Sequence, residues 1–364
     1  MLKKIITITF SLLALSCCFS QDMSRNNESL DKFEAIQITL PAPKTTIKTT
    51  IPISDISVID SRFDTSCIGM MQILARDHVT IVNCKRPTSI EIKDFFYQLI
   101  PIQKRDTNGI ELSCFIKKLM LTDKIYLDPE TGETTDEKVY NTREKSGILL
   151  VIEFYAHKDG MYIPLFRFDS TMIGEKNIVV AAREYLSDAL IKSLNKLGTI
   201  NWELKNINGR RIPESSINEY YKDRLDLPIF SSVPKKGIYR SFEDFKNNTP
   251  QQIEFTVVDT KKSDFLYIKN EKGEDELLTD LWGYCDGKDM FIFSANNFFK
   301  LYRHENTFRI YGAKDYTSKR VLRMNFRAID AIIPKSNFSK GRTKTKYELV
   351  KRLYQVDMET GELF

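Results

Sequence analysis

"GILLVIEFYAHKDGMYIPLFRF", residues 147–168, is two apolar runs separated by Asp159-Gly160. That pair is favoured in two-residue hairpin turns, where both positions take positive φ. After it, "NIVVAAREYLSDALIKSLNKLG" (177–198) has the period of a helix. Ile178, Ala181, Ala182, Tyr185, Leu186, Ala189, Leu190, Leu194 and Leu197 fall on one face, and Gly198 stands where a C-terminal glycine cap belongs. A strand hairpin running into a core helix defines a mixed unit.

The flanks extend it. "AIQITL", "ISVID" and "ELSCFIKKLML" are rich in branched apolar residues and read as strands. "TSIEIKDFFYQLI" (88–100) reads as a helix with a capping box at Thr88 and Glu91, an apolar stripe of Ile92, Phe95, Phe96 and Leu99, and Pro101 as its stop. Residues 33–205 therefore form the N-terminal α/β layer sandwich of an α+β protein. Residues 206–235 are polar and proline-rich, with one short helix near "SSINEYYKDRL", and read as a linker.

From 236 to 364 short apolar runs recur with turn residues between them, the pattern of a mostly antiparallel β domain, a meander or small barrel. Its last long run, "RVLRMNFRAIDAII", alternates Leu322, Met324, Phe326 and Ala328 with Arg323, Asn325 and Arg327. "DLWGYCDGKDMF" (280–291) reads as a hairpin turning on Asp286-Gly287, which sets Trp282 opposite Phe291 and Tyr284 opposite Asp289.

The length of 364 residues suits two domains, and 42% apolar residues suffice for substantial cores. The formal charge of +5 comes from 54 cations against 49 anions, a balance that excludes a nucleic-acid binder driven by bulk charge. Lys3 and Lys4, the apolar run from Ile5 to Leu15 and the small-residue exit "CCFSQD" describe a signal peptide over residues 1–20. Residues 21–32 follow as a polar leader. Two exits compete. Cleavage before Gln21 gives a soluble exported product. "ALSC" ending at Cys17, or the frame shifted to Cys18, would give a lipid-anchored one. The expected location is periplasmic, or at the outer membrane if the chain is lipidated.

Cys67, Cys84, Cys114 and Cys285 remain beyond the leader, none in a C-x-x-C pair. Cys114, within "LSCFI", reads as a buried free thiol, and Cys67 with Cys84 is the one pairing to test for a disulfide. His78, His157 and His304 are the only histidines, and none has a metal-ligand partner at i+4. No metal or cofactor is implied, and neither a nucleophile elbow nor a phosphate-binding glycine loop occurs. Two S-x-x-K spacings, Ser193–Lys196 and Ser232–Lys235, lack companion motifs. Glu153, Tyr155 and His157 alternate on one strand, so His157 is the best candidate base against the blander reading of a wet sheet face.

In "SKGRTKTKYELVKR", Lys340, Arg342, Lys344 and Lys346 recur at every second position. On a strand they would share a face, either an anion-binding stripe or a charged edge that blocks sheet association. "YLDPETGETTD" and "YQVDMETGELF" read as tight turns rather than calcium loops.

"GIYRSFEDFKNNTP" together with "LWGYCDGKDMFI" resembles a pattern of uncharacterised exported proteins of Bacteroidota, at Gly237, Tyr239, Ser241, Phe245, Asn248 and Pro250, then Trp282, Gly283, Tyr284, Asp286, Gly287 and Lys288. That resemblance implies no activity. Read physically, Ser241 caps a short helix that carries Phe242 and Phe245 inward. "VIDSRFD…IG" (Asp60, Arg62, Ile68, Gly69) is more distantly similar to small envelope lipoproteins that assist transporters or cell-wall synthases; read locally, Asp60 and Arg62 form an ion pair.

The expectation is a non-catalytic envelope protein that binds or scaffolds a protein or surface polymer. A hydrolase using His157 with Glu153, and a carrier of an apolar ligand in a barrel lumen, are the alternatives.

Overall fold

The computed structural model describes residues 34–73, 78–102, 109–127, 143–174, 176, 178–251, 253–259, 264–294, 297–314 and 351–363. Cys17, Cys18, Lys340, Arg342, Lys344, Lys346, the run 320–333 and most of the 126–136 turn lie outside them.

The protein is α+β. An eight-stranded sheet is built from β1 (Glu34–Ile38), β2 (Ile53–Asp60), β3 (Gly69–Ile73), β4 (His78–Cys84), β5 (Ile110–Leu127), β6 (Arg143–Lys158), β7 (Met161–Gly174) and β8 (Ile212–Pro213). Its order is β1-β4-β3-β5-β6-β7-β8, and β2 also pairs with β5. The β6–β7 turn is the expected one, with Asp159 at φ 53° and Gly160 at φ 69°.

Two helices, α1 (Thr88–Leu99) and α2 (Ile178–Asn195), cover one face. Ile92, Phe95, Phe96 and Leu99 from α1 and Ile178, Ala182, Leu186, Ala189, Leu190 and Leu194 from α2 meet Leu112, Cys114, Ile152 and Phe154 of the sheet in one core. Each large side chain withdrawn this fully from water contributes about 1.5–3 kcal/mol.

Two helix ends differ from expectation. Pro87, not Thr88, is the N-cap of α1, and no side chain caps it. Glu91 instead turns inward, where its carboxylate accepts from Leu40 N and pairs with Arg86. Gly198 does not end α2 in a left-handed residue. It lies inside a 3-10 turn over Lys196–Thr199, where a Cβ would sit 3.0 Å from Lys48 O.

Short helices follow: α3 (Trp202–Asn208), α4 (Glu214–Leu225) and α5 (Pro228–Ser231). Helix α4 lies on the second face of the sheet, where Ile217 and Tyr221 pack with Phe115, Tyr155 and Tyr162.

The C-terminal part is a six-stranded antiparallel meander. Its strands are β9 (Gly237–Tyr239), β13 (Gly283–Cys285), β14 (Met290–Ser294), β15 (Asn297–His304), β16 (Thr307–Lys314) and β17 (Lys351–Gln355), with the small helix α6 (Phe242–Lys246) after β9. A second sheet of β10 (Phe255–Asp259), β11 (Asp264–Lys269) and β12 (Asp275–Leu278) packs beside it. The meander runs from β17 to β9 without closing, so among the described residues it is an open sheet rather than a barrel.

The 280–291 hairpin is real, but its register differs. Tyr284 pairs with Phe291 and Cys285 with Met290, leaving residues 286–289 as the loop. Only Gly287 takes positive φ there, at 100°. Asp286 forms the bend through its side chain, which accepts from the backbone of Lys288 and Asp289, both at 2.7 Å. Tyr284 stacks on Phe291 at 4.7 Å, while Trp282 packs on Phe245 at 4.2 Å.

Candidate functional site

The second face of the large sheet carries the feature with the richest chemistry. Residues 53–73 run along the edge of β5 as one interrupted strand. Strand β2 pairs with Ile110–Ile116 and β3 with Leu121–Thr122, and between them Ser61–Cys67 leave the sheet. Arg62 closes this excursion. Its guanidinium binds Asp60 through Nε at 2.8 Å and Nη2 at 2.7 Å, and Nη1 donates to Cys67 O at 2.6 Å.

Opposite the excursion, the β5–β6 register slips between Ile116 and Lys118. The bulge delivers two successive lysines to the same region. Lys117 reaches Tyr220 Oη at 2.9 Å, Glu153 at 3.5 Å and Glu359 at 3.8 Å, and Lys118 pairs with Asp357. Two neighbouring irregularities thus build one joint.

The meander fits onto this joint. Phe63 packs into the meander's apolar core, beneath the Arg224 guanidinium at 4.3 Å. Asp64 pairs with Arg309 of β16 at 3.0 Å, and both are buried. Ser66 Oγ lies 2.9 Å from His304 Nε2 and accepts from Arg309 at 3.2 Å, while its own hydroxyl lies 2.5 Å from Asp64 Oδ1. Thr65 N donates to Glu305. Arg224 of α4 ties the excursion to the terminal turn, donating to Ser61 O and to Glu359 at 2.8 Å. Cys67, Met70 and Met120 complete the contact against Leu353 of β17.

Glu153 lies beside the joint. Burial opposes its charge, but hydrogen bonds from Tyr221 at 2.5 Å and Tyr155 at 3.0 Å, with Lys117 and Arg167 nearby, hold its carboxyl below the usual range. Burial, together with Glu153, pushes the Tyr155 and Tyr221 phenols well above theirs. An ionised carboxylate served by two phenol donors is a fixed acceptor, not a base poised near neutrality.

His157 does share the strand face with Glu153 and Tyr155, as expected. It does not join them, however. Its ring stacks on Tyr162 at 4.3 Å between Glu111 and Glu214, whose oxygens lie 3.9 and 3.5 Å from its nitrogens.

The cysteine pairing fails on geometry. Among the described residues Cys67, Cys84, Cys114 and Cys285 are all free thiols. Cys67 packs on the meander side of the sheet and Cys84 on the helix side. Cys114 is wholly buried, as its apolar run implied.

The "GIY…NNTP" and "WGYxDGK" blocks fold onto each other: β9 pairs with β13, placing Tyr239 opposite Gly283. Ser241 forms a capping box with Asp244. Asn248, in the left-handed region at φ 51°, accepts from Lys235 N and Tyr239 Oη and donates to Ser232 Oγ and Val233 O. These residues shape backbone. The terminal "VDMETGEL" is a turn as expected, with Gly361 at φ 82° and its N–H donating to Asp357 O.

Sequence reasoning missed Asp64, Ser66, His304 and Arg309, which lie some 240 positions apart and meet only in the fold. One signal was present. In "LSCFIKKLML" the apolar positions 112, 114 and 116 resume at 119 and 121, a phase slip across Lys117-Lys118 that marks the bulge.

No family model matches the chain, and no curated protein does. Among solved structures, the crystal structure of protein XCC0632 from Xanthomonas campestris, described with family-model DUF330, is similar at 8% identity with a TM-score of 0.28. It covers 45% of this chain and 92% of that one. A likeness that slight carries no argument.

Proposed function

We propose that this chain is an exported, non-catalytic envelope protein that scaffolds or binds a protein or surface polymer, its two parts held in fixed relation by the 61–67 excursion. The observation that carries this reading is the commitment of the joint's ionic groups. Arg62, Asp64, Lys117, Lys118, Arg224, Arg309, Asp357 and Glu359 each engage a partner across or within it. A spacer that holds two surfaces in one orientation needs such a joint, whereas a reactive centre needs groups left free for substrate.

The N-terminal leader supports export, and the Cys17 and Cys18 frames support a lipid anchor as the variant form. The basic positions Lys340, Arg342, Lys344 and Lys346 are the proposed contact for an anionic polymer. The test is fractionation of cells carrying the tagged full chain, followed by crosslinking in intact envelopes. Recovery of one defined partner, lost when Arg309→Met loosens the joint, supports the reading. A cytosolic pool without crosslinks contradicts it.

The hydrolase reading has less support: Ser66 Oγ lies 2.9 Å from His304 Nε2, but its one proton goes to Asp64 Oδ1, so His304 donates to Ser66 instead of standing as its base. The apolar-carrier reading has the least support, since the joint's cavity measures about 40 Å³ and the meander is open.

A further inference from the structure

The joint contains a small half-open cavity of about 40 Å³, lined on one side by the excursion and the Lys117-Lys118 bulge and on the other by Thr307 and Gln355–Glu359. Gln355 lines it with only 5% of its surface exposed, and its side-chain oxygen is buried without a hydrogen-bond partner. Directly across the β16–β17 ladder stands Arg309, whose Nε–H is likewise buried and unpartnered, although Nη2 is bound to Asp64. One lone acceptor and one lone donor therefore face each other on adjacent strands. Leaving either unmade is costly inside a protein.

We propose that this cavity is a binding site for a few internal water molecules, one of which donates to Gln355 Oε1. Size is the first argument: a water needs roughly 10–15 Å³ of such space, so the cavity admits about three. Charge is the second. Arg62, Lys117, Lys118 and Arg224 line the cavity and disfavour a cation, while the carboxylates of Asp64, Asp357 and Glu359 disfavour an anion. Those seven are already paired with one another or with neighbours, so no net charge seeks a counter-ion. Hydrogen-bond polarity is the third: the orphan in the cavity wall is an acceptor, so the molecule that serves it must donate a hydrogen bond. The joint is then wet at its centre, as separable polar interfaces commonly are.

The test uses the full chain and its Gln355→Met variant, which keeps the volume and removes the acceptor. The proposal expects an ordered water within hydrogen-bond distance of Gln355 Oε1 in a high-resolution crystal structure. It also expects one long-lived water fewer in the variant by oxygen-17 relaxation dispersion, and a midpoint of thermal unfolding lower by about 2 °C or more. An empty cavity, or a direct bond between Gln355 and Arg309, overturns it. So does a raised midpoint, because removing an acceptor that was truly unsatisfied should stabilise the protein.

Discussion

Asp64 and Arg309 meet at 3.0 Å with almost no exposed surface, one in an excursion from the eight-stranded sheet and the other on β16, next to the edge strand of the meander. Neither charge has bulk water to fall back on. Arg309→Met should therefore cost about 3–5 kcal/mol, because it strands the Asp64 carboxylate. Urea unfolding checks this. The double variant Asp64→Leu with Arg309→Met should recover much of the loss, since an apolar pair has no uncompensated charge.

Glu153 gives the acid limb of the stability curve. Its carboxyl is below the usual range in the folded protein, so the unfolded chain takes up the proton first as pH falls. Its contribution is complete above the ordinary glutamate range and is lost as pH drops through it toward the native value. Glu153→Gln should lower stability at neutral pH and flatten the profile between about pH 5 and pH 3. Thermal unfolding across that window measures it.

Cys67 and Cys84 act at the other end. Burial pushes both thiols up to about 11, with Asp64 adding to the effect at Cys67 and Glu91 at Cys84. Raised values mean that the folded state holds its protons longer. Stability from this source is complete below pH about 8.5 and is lost as pH climbs toward 11. Thiol titration of the native protein should be slow at pH 8 and accelerate steeply above pH about 9. Gel mobility of the full chain should also show no Cys67–Cys84 bridge on omission of reductant.

The 286–289 bend separates backbone chemistry from packing. Gly287 sits at φ 100°, and a Cβ there would meet nothing closer than Lys236 at 3.7 Å. Gly287→Ala should therefore cost only the conformational penalty of about 1 kcal/mol. Asp286→Ala should cost a similar amount, about 1 kcal/mol, by removing the acceptor of two backbone N–H groups. Calorimetry of the two single variants and their double tests both, and the losses should be less than additive, because the bend can unfold only once.

What could be read in the chain beforehand was whatever local periodicity writes. The Asp159-Gly160 turn, both long helices and the strand runs of the meander follow from residues within a few positions of each other. The capping box at Thr88 and the register at Asp286 failed because a proline and a side-chain acceptor outcompeted the commoner local solution. The joint was illegible for a different reason. Arg309 alternates with Phe308 and Ile310 as a wet-face residue should, and only the arrival of Asp64 from 245 positions away buries it. No local pattern encodes that meeting.

The chain's two tryptophans offer the most direct measurement, since Trp202 packs against the core of the large sheet and Trp282 against the core of the meander. Trp202→Phe and Trp282→Phe each leave a single fluorescent reporter, one for each part. If the excursion at 61–67 welds the parts into one cooperative body, urea unfolding followed in the two variants gives coincident curves, and adding Arg309→Met pulls them apart. Two separate transitions in the otherwise unaltered chain would contradict the account.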